Sequence, residues 1–227
     1  MQILRCEPGV VLIDTPTIRS EVAELPPGGG YGQHRHPGSD EMYIFLSGEG
    51  KVVADGVEHP FTGPMQAYIP AGTSYALVNT GKAPLRLIWA LAPNESTHPA
   101  PTATSGPVWI TECVSGQRFP ASPRVRGGML EFEPGFECSY HSHDGADEIF
   151  LFLRGQCRIT VEEEAADVGV GEVVIVPAEH KHKLMALGDE PLRMWLTVTP
   201  NHEPTHTHYE QRADGTWARI TPRAGSA

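Results

Sequence analysis

The sequence predicts an all-β protein made of two tandem barrels related by internal duplication. Shifted by 107 positions, the chain aligns with itself without a gap from Ile3/Ile110 to Asn94/Asn201. Short apolar runs recur about every 8–12 residues with turn signals between them, which is typical of β-sandwiches and barrels. No segment keeps a helical apolar period over a dozen residues, so few helices are expected.

The expected strands follow the same order in both halves. Each half begins its central part with an apolar, aromatic run that ends at a turn, Ser47-Gly48 in the first half and Arg154-Gly155 in the second. The strands expected after it are short and partly alternating. In order, the expected strands are 41–46, 50–56, 66–70, 74–79 and 85–91, then 148–153, 157–162, 172–177, 181–187 and 192–198.

The repeat also sets the expected domain boundaries. A period of 107 residues is too long for a solenoid unit and long enough for each copy to bury its own core. We therefore expect an N-terminal barrel over 1–95 and a C-terminal barrel over 107–201. A linker over 96–106 is rich in Pro, Ala, Ser and Thr. The tail, 202–227, carries Tyr209, Trp217 and Ile220, so it is expected to pack on the barrels.

Composition narrows the classes of partner. The formal net charge is −11 with only 17 Lys and Arg, which disfavours nucleic acid and anionic membranes. No apolar run reaches the length of a membrane span and no signal peptide is visible. The four cysteines have no framework spacing, which favours reduced thiols and a cytoplasmic location. A small-molecule substrate is the expected partner, and a homodimer is left open.

The residues that carry chemistry form one pattern, H-x-H-x-G-x-D-E, which occurs in both halves. In the second half, His141 and His143 are two apart and therefore face the same side of a strand. A bend brings Glu148 to the same lumen, and His182 arrives from a later strand. Three imidazoles and one carboxylate suit a divalent Fe, Mn, Ni, Zn, Cu or Co ion. On a six-coordinate ion, these four ligands leave two positions open.

The first half repeats the pattern with one exchange. His34, His36 and Glu41 are present, but Tyr75 stands where the second half has His182. The three retained residues are a second, weaker candidate metal site. Tyr75 is a candidate catalytic acid or base, with a weak fourth ligand and a hydrogen-bonding group of the lumen as alternatives. We expect the C-terminal site to hold its metal more tightly.

Aromatic residues follow each glutamate at even spacing and should share its face of the strand. They either line a pocket that suits an aromatic or hydrophobic substrate or belong to the barrel core. The four residues are Tyr43, Phe45, Phe150 and Phe152.

These motifs resemble those of the cupin superfamily, and the duplication resembles a bicupin. The first cupin motif, G-x5-H-x-H-x(3,4)-E-x6-G, is present from Gly28 to Gly48 and again from Gly135 to Gly155. The second motif, G-x5-P-x-G-x2-H-x3-N, is matched from Gly171 to His182 with Glu in place of one Gly. The first half keeps that Gly but lacks the His. The resemblance covers nearly all of residues 1–200 and implies double-stranded β-helix, or jelly-roll, barrels.

The resemblance implies a metal-dependent enzyme but not one reaction, since cupins catalyse many. Cupins with a ligand set of three His and one Glu are often similar to dioxygenases. The favoured function is therefore a dioxygenase acting on a small enolisable or aromatic molecule in the C-terminal barrel. The alternatives are a non-redox metal-dependent isomerase, cyclase or lyase and a non-enzymatic small-molecule-binding cupin.

Overall fold

The computed structural model describes residues 1–94, 106–120 and 122–220, and this part of the chain folds into 21 β-strands without a helix. The prediction of an all-β fold is confirmed. The strands of the first half are β1 (Gln2–Arg5), β2 (Val11–Asp14), β3 (Arg19–Leu25), β4 (Gly30–His34), β5 (Asp40–Ser47), β6 (Glu49–Ala54), β7 (Val57–Thr62), β8 (Met65–Ile69), β9 (Tyr75–Asn79) and β10 (Leu85–Ala92). Those that follow are β11 (Trp109–Glu112), β12 (Arg126–Phe132), β13 (His141–Ser142), β14 (Asp147–Arg154), β15 (Gln156–Val161), β16 (Glu164–Gly169), β17 (Glu172–Val176), β18 (His182–Leu187), β19 (Leu192–Thr199), β20 (Thr207–Gln211) and β21 (Trp217–Arg219).

Each barrel is formed by two antiparallel sheets. The N-terminal barrel combines a six-stranded sheet, ordered β11-β8-β5-β10-β3-β2, with a four-stranded sheet, ordered β4-β9-β6-β7. The C-terminal barrel combines a five-stranded sheet, β1-β17-β14-β19-β12, with a six-stranded sheet, β16-β15-β18-β13-β20-β21. Equivalent strands of the two halves therefore pair in the same order, as an internal duplication requires.

The two halves exchange their first strands. β1 pairs antiparallel with β17 of the C-terminal barrel, with Gln2 opposite Ile175. Its repeat equivalent β11 pairs in the same way with β8 of the N-terminal barrel, with Trp109 opposite Tyr68. This exchange could not be predicted from the sequence, because a short apolar strand carries no local signal of which sheet edge it will join.

The two faces of the central strands β5 and β14 contribute to three buried cores, one inside each barrel and one shared by the two halves. Within β5, Tyr43 and Phe45 point into the N-terminal barrel, while Met42 and Ile44 belong to a separate core that also contains Ile149, Leu151 and Trp195 of the second half. Within β14, Phe150 and Phe152 fill the C-terminal barrel. Strands buried on both faces show continuous apolar runs rather than alternation, which explains the runs at 41–46 and 148–153.

The described part of the tail packs on the C-terminal barrel. β20 pairs with β13, placing Thr207 opposite Ser142, and β21 pairs with β20 across the turn at Asp214-Gly215. The end of the tail, 221–227, and residues 95–105, which include most of the expected linker over 96–106, lie outside the described residues. Among the described residues, no helix is long and apolar enough to cross a membrane.

Candidate metal centre

Four side chains of the second half meet inside the C-terminal barrel, and we call them the C-terminal centre. β13 lies beside β18, which sets His141 opposite His182. A turn with Gly145 in a left-handed conformation, φ +71°, separates His143 from β14, and glycine adopts this conformation without strain. The bend lets the side chain of Glu148 point into the same barrel lumen as the histidines. The members of the C-terminal centre are His141, His143, Glu148 and His182.

The C-terminal centre is compact and withdrawn from solvent. One nitrogen or carboxylate oxygen from each member lies within 4.8 Å of the others, and all four residues are buried. The Oε2 atom of Glu148 lies 2.9 Å from Nε2 of His143 and 2.8 Å from Nε2 of His182. Ligand atoms at this spacing are close enough to share one ion.

The other nitrogen of each imidazole is held by a backbone carbonyl. The Nδ1 atom of His141 lies 2.8 Å from the carbonyl oxygen of Ser139. The Nδ1 atom of His143 lies 2.6 Å from that of Thr205, and the Nδ1 atom of His182 lies 3.1 Å from that of His180. Because a carbonyl oxygen only accepts, each Nδ1 carries the proton. That arrangement leaves the Nε2 lone pairs for an ion, as carbonyl partners of metal-bound histidines do.

One buried atom of the C-terminal centre lacks a hydrogen bond. Nε2 of His182 is fully buried and makes none, although Oε2 of Glu148 lies only 2.8 Å away. Leaving a buried polar atom unpaired is costly. A cation bound among these atoms would satisfy both the nitrogen and the carboxylate, so the residues fit a metal.

The electrostatics of the C-terminal centre also suit a cation. Burial works to raise the pKa of Glu148, but the neighbouring His143 and His182 hold the pKa well below its usual range. The carboxylate is therefore ionised. Burial, followed by the charge of His182, lowers the pKa of His141 to about 3, which keeps this imidazole neutral, the form that binds metals.

The first half brings together His34, His36 and Glu41 in the same way, and with Tyr75 we call them the N-terminal cluster. Nδ1 of His34 donates to the Gly32 carbonyl at 2.7 Å, which parallels His141. The imidazoles are more open, however. The side chains of His34 and His36 are 32% and 27% exposed, against 3% for His143.

The hydroxyl of Tyr75 closes the N-terminal cluster. It lies 3.0 Å from Nε2 of His34 and 2.9 Å from the Tyr43 hydroxyl, and it donates to Oε2 of Glu41. Tyr43 donates to the second oxygen of Glu41 at 2.7 Å. Burial and the charge of Glu41 raise the pKa of Tyr43 well above its usual range, so it stays a donor. Tyr75 is thus a hydrogen-bonding group of the lumen here, and its roles as ligand or catalytic acid remain predictions.

The aromatic residues expected near the centres differ in depth. Tyr43 reaches Glu41, and the Phe150 ring centroid lies 6.1 Å from that of His182. Phe45 stacks on Phe61 at 3.7 Å, and Phe152 is buried in the core of its barrel. Their contribution to a substrate pocket stays a prediction.

A cavity of about 680 Å³ opens beside the N-terminal cluster. β4 forms one wall, and β3 and β10 contribute others. Its lining includes Arg19, Tyr31, His34, His36, Trp89 and Leu91.

Three further residues, Thr205, Arg126 and His206, lie beside the C-terminal centre. The Thr205 carbonyl holds His143, and Arg126 donates to that carbonyl at 3.0 Å while lying 3.2 Å from Nδ1 of His143. The ring of His206 lies 4.9 Å from that of His141 and 4.8 Å from that of His143. A backbone carbonyl leaves no signature in a sequence. The repeat match Arg19/Arg126 was visible, but the contacts of the two arginines differ.

Comparisons with known proteins agree with this architecture. The family model of the cupin domain, Cupin_2, matches residues 21–91 and 128–199. The oxalate-binding protein of Thermotoga maritima is 34% identical over 65 residues, which cover 29% of this chain and 54% of that protein. The matches to curated relatives span between 17% and 58% of the relatives' lengths.

Solved structures are similar over most of the chain. Salicylate 1,2-dioxygenase from Pseudaminobacter salicylatoxidans has a TM-score of 0.66 at 12% identity, covering 81% of this chain and 71% of that chain. Protein Ylba from E. coli has a TM-score of 0.70 at 15% identity, covering 88% of this chain and 91% of that chain. At such identities, the likeness is one of fold.

Proposed function

The chain belongs to the cupin family, and from that membership we propose that it is a metal-dependent enzyme working at the C-terminal centre. The observation that carries the proposal is the set of three carbonyl-held imidazoles whose Nε2 atoms face one ionised, buried glutamate. These side chains would hold a divalent Fe, Mn, Ni, Zn, Cu or Co ion. The N-terminal cluster is the weaker site, because phenol hydroxyls already occupy both oxygens of Glu41.

The reaction we propose is dioxygenation of a small enolisable or aromatic molecule. A bound redox-active ion would supply electron transfer and Lewis acidity, and four protein ligands leave a six-coordinate ion with room for two further donors. The salicylate 1,2-dioxygenase that shares the fold supports this class by analogy only. The protein's own part is to keep His141 neutral, to orient the three imidazoles and to shield the ligands from water, since all four are buried.

A second candidate is non-redox chemistry, such as isomerisation, elimination or hydrolysis. The observation that favours it is His206, an imidazole that packs at a tilt against His141 and His143 but is not one of the four candidate ligands. A side chain in that place can accept or donate a proton for a bound molecule. Such chemistry needs a Lewis acid but no oxygen.

Oxygen dependence separates the two candidates. Protein purified without added metal is first analysed for its native metal content. It is then assayed with Fe(II) and with salicylates, catechols and β-diketones in an oxygen electrode. Oxygen uptake that depends on substrate supports dioxygenation. Turnover under anaerobic conditions with Zn(II) or Mn(II) supports the second candidate, and a metal-free protein that still binds these molecules contradicts both.

The repeat supplies a matched pair of variants for locating the working centre. His143→Ala removes one of four ligands, so metal affinity should fall by more than the 10–100-fold typical of losing an outer partner, and activity should fall with it. His36→Ala is its repeat equivalent and should cost less of both. Inductively coupled plasma mass spectrometry and the assay measure the two effects. If His36→Ala abolishes activity while His143→Ala retains it, the N-terminal cluster is the working site.

A further inference from the structure

The strand that carries His141 has neighbours on both sides, whereas its counterpart in the first half does not. β13 lies between β18 and β20 in its sheet. Within the described residues, the equivalent β4 pairs only with β9 and forms the edge of its sheet. The cavity beside the N-terminal cluster lies along this edge and includes Gly30 and Gly32. The tail strand β20 therefore takes, in the C-terminal barrel, a place beside the ligand strand that no described strand takes in the N-terminal barrel.

Side chains and backbone both fasten the tail to the strand that carries the ligands. The backbone N–H of Tyr209 donates to the Tyr140 carbonyl at 2.9 Å, and the Tyr209 hydroxyl lies 3.1 Å from Oγ of Ser142. Thr207 donates to Asp144 at 2.9 Å. These contacts flank His141 and His143 in sequence, so the docked tail fixes the segment that carries two of the four ligands.

The tail also reaches the centre itself through one backbone atom. The Thr205 carbonyl accepts from Nδ1 of His143 at 2.6 Å and from Arg126 at 3.0 Å. The guanidinium keeps the carbonyl in place, and the carbonyl sets the orientation of the imidazole. The ring of His206, the next residue, packs at a tilt against the rings of His141 and His143.

The equivalent arginine and histidine of the first half have different surroundings among the described residues. Arg19, the repeat equivalent of Arg126, pairs with Asp14 at 2.5 Å and lies 3.9 Å from Glu21. The side chain of His36 is 27% exposed, against 3% for His143. Equivalent arginines on equivalent strands therefore have different roles. Arg19 forms an ion pair with Asp14, whereas Arg126 contacts His143 and the carbonyl that holds it.

We propose that the tail hairpin, β20 and β21 with Thr205, is a working part of the C-terminal centre, in which Arg126 and the Thr205 carbonyl position His143 for the metal. The inference rests on the metal-dependent function proposed above. It assigns Arg126 as a positioning residue, since its contacts are to the Thr205 carbonyl and Nδ1 of His143, an atom that faces away from the ion. Outer partners of this kind are typically worth 10–100-fold in metal affinity.

The first test replaces the two equivalent arginines in the full chain. Arg126→Met should weaken Co(II) binding by 10–100-fold, measured by chelator competition, and should change the visible spectrum of the Co(II) protein. Arg19→Met is the control and should leave both unchanged. Thermal unfolding of the metal-free proteins checks the fold, because a merely structural role would lower the melting temperature without changing the spectrum. Equal Co(II) affinity in Arg126→Met and the wild type would overturn the proposal.

The second test acts on the tail without touching the arginine. Tyr209→Pro removes the N–H that donates to Tyr140 and disfavours the strand, while Tyr209→Phe keeps the backbone bond. The proline variant should lose Co(II) affinity by a factor similar to that of Arg126→Met, and the phenylalanine variant should lose much less. Wild-type affinity in Tyr209→Pro would contradict the role of the tail. A wild-type protein that binds no Co(II) would overturn the proposed function itself, and with it this inference.

Discussion

His182 and Tyr75 occupy equivalent positions, and their terminal atoms decide what each centre can hold. His182 places Nε2 beside the carboxylate, and because its Nδ1 is held by the His180 carbonyl, Nε2 is the atom available to an ion. Tyr75 places a hydroxyl there, and it donates to Glu41. The neighbouring exchange of Phe150 for Tyr43 adds a second donor to the same carboxylate. A carboxylate that accepts from two phenols has little left to offer an ion.

Reversing these two exchanges should create a second metal site. The double variant Tyr43→Phe with Tyr75→His copies the side chains of the C-terminal centre into the first half and frees both oxygens of Glu41. We expect bound metal to rise from about one to about two ions per chain, given the preference of such ions for imidazole and carboxylate ligands. Metal analysis after dialysis against Co(II) measures it. Tyr43→Phe with Tyr75→Phe is the control, and a double variant that stays at one ion contradicts this reading of the cluster.

At this scale, the sequence predicted which side chains meet in the C-terminal centre but not the atoms that orient them. The spacing of His141, His143 and Glu148 is a pattern of side chains, so it is readable. The Thr205 carbonyl is a backbone atom, which every residue has, and its place depends on how the tail docks. Arg126 was visible only as a repeat match to Arg19, and their different partners arise from their surroundings in the fold.

At the scale of elements, the exchanged strands β1 and β11 hold the halves together at their edges. Each adds a row of backbone hydrogen bonds to the sheet of the other half. The strands themselves were readable only as short apolar segments, because the choice of partner is made by the geometry of free sheet edges. The central strands were readable in full, since β5 and β14 are long, apolar and buried on both faces.

Cysteine labelling should report how firmly the exchanged strands are paired. Cys113 directly follows β11, and Cys157 lies inside the C-terminal barrel; burial raises the pKa of each thiol to about 12. At pH 8, such a thiol is ionised in about one molecule in 10,000. Reaction with iodoacetamide then requires local opening.

Mass spectrometry of peptides over time should give an order of reactivity. Cys6, which follows β1 and is only partly buried, should react first, then Cys113, and Cys157 last. Burial raises the pKa of Cys6 as well, so its lead comes from access. Raising the pH toward 10 should speed all three, because more thiolate forms. If Cys157 reacts as fast as Cys6, the barrel opens as readily as its edge, contrary to this structure.

At the scale of the whole molecule, duplication explains most of what the sequence could predict. A shift of 107 residues predicts two copies of one fold, and the cupin motifs in each copy indicate a barrel. The arrangement of the copies is a different matter. The core between them uses Met42 and Ile44 from one half and Ile149 and Leu151 from the other. These residues look in sequence like any strand face, so nothing marks them as an interface.

The same core predicts that neither half is stable alone. Cutting the chain in the linker leaves 1–100 without the strand β11 that covers β8, and 101–227 without β1, which covers β17. Each half would expose a free sheet edge and the apolar face that includes Trp195 or Met42, and such surfaces aggregate.

Expressed singly, each half should be insoluble or self-associated in size-exclusion chromatography. Expressed together, the halves should form a one-to-one complex that elutes like the intact chain. The complex should also bind Co(II) as the intact chain does, because all four ligands and the tail belong to the second half. A single half that is monomeric and unfolds cooperatively would show that the exchanged strands and the shared core contribute little to stability.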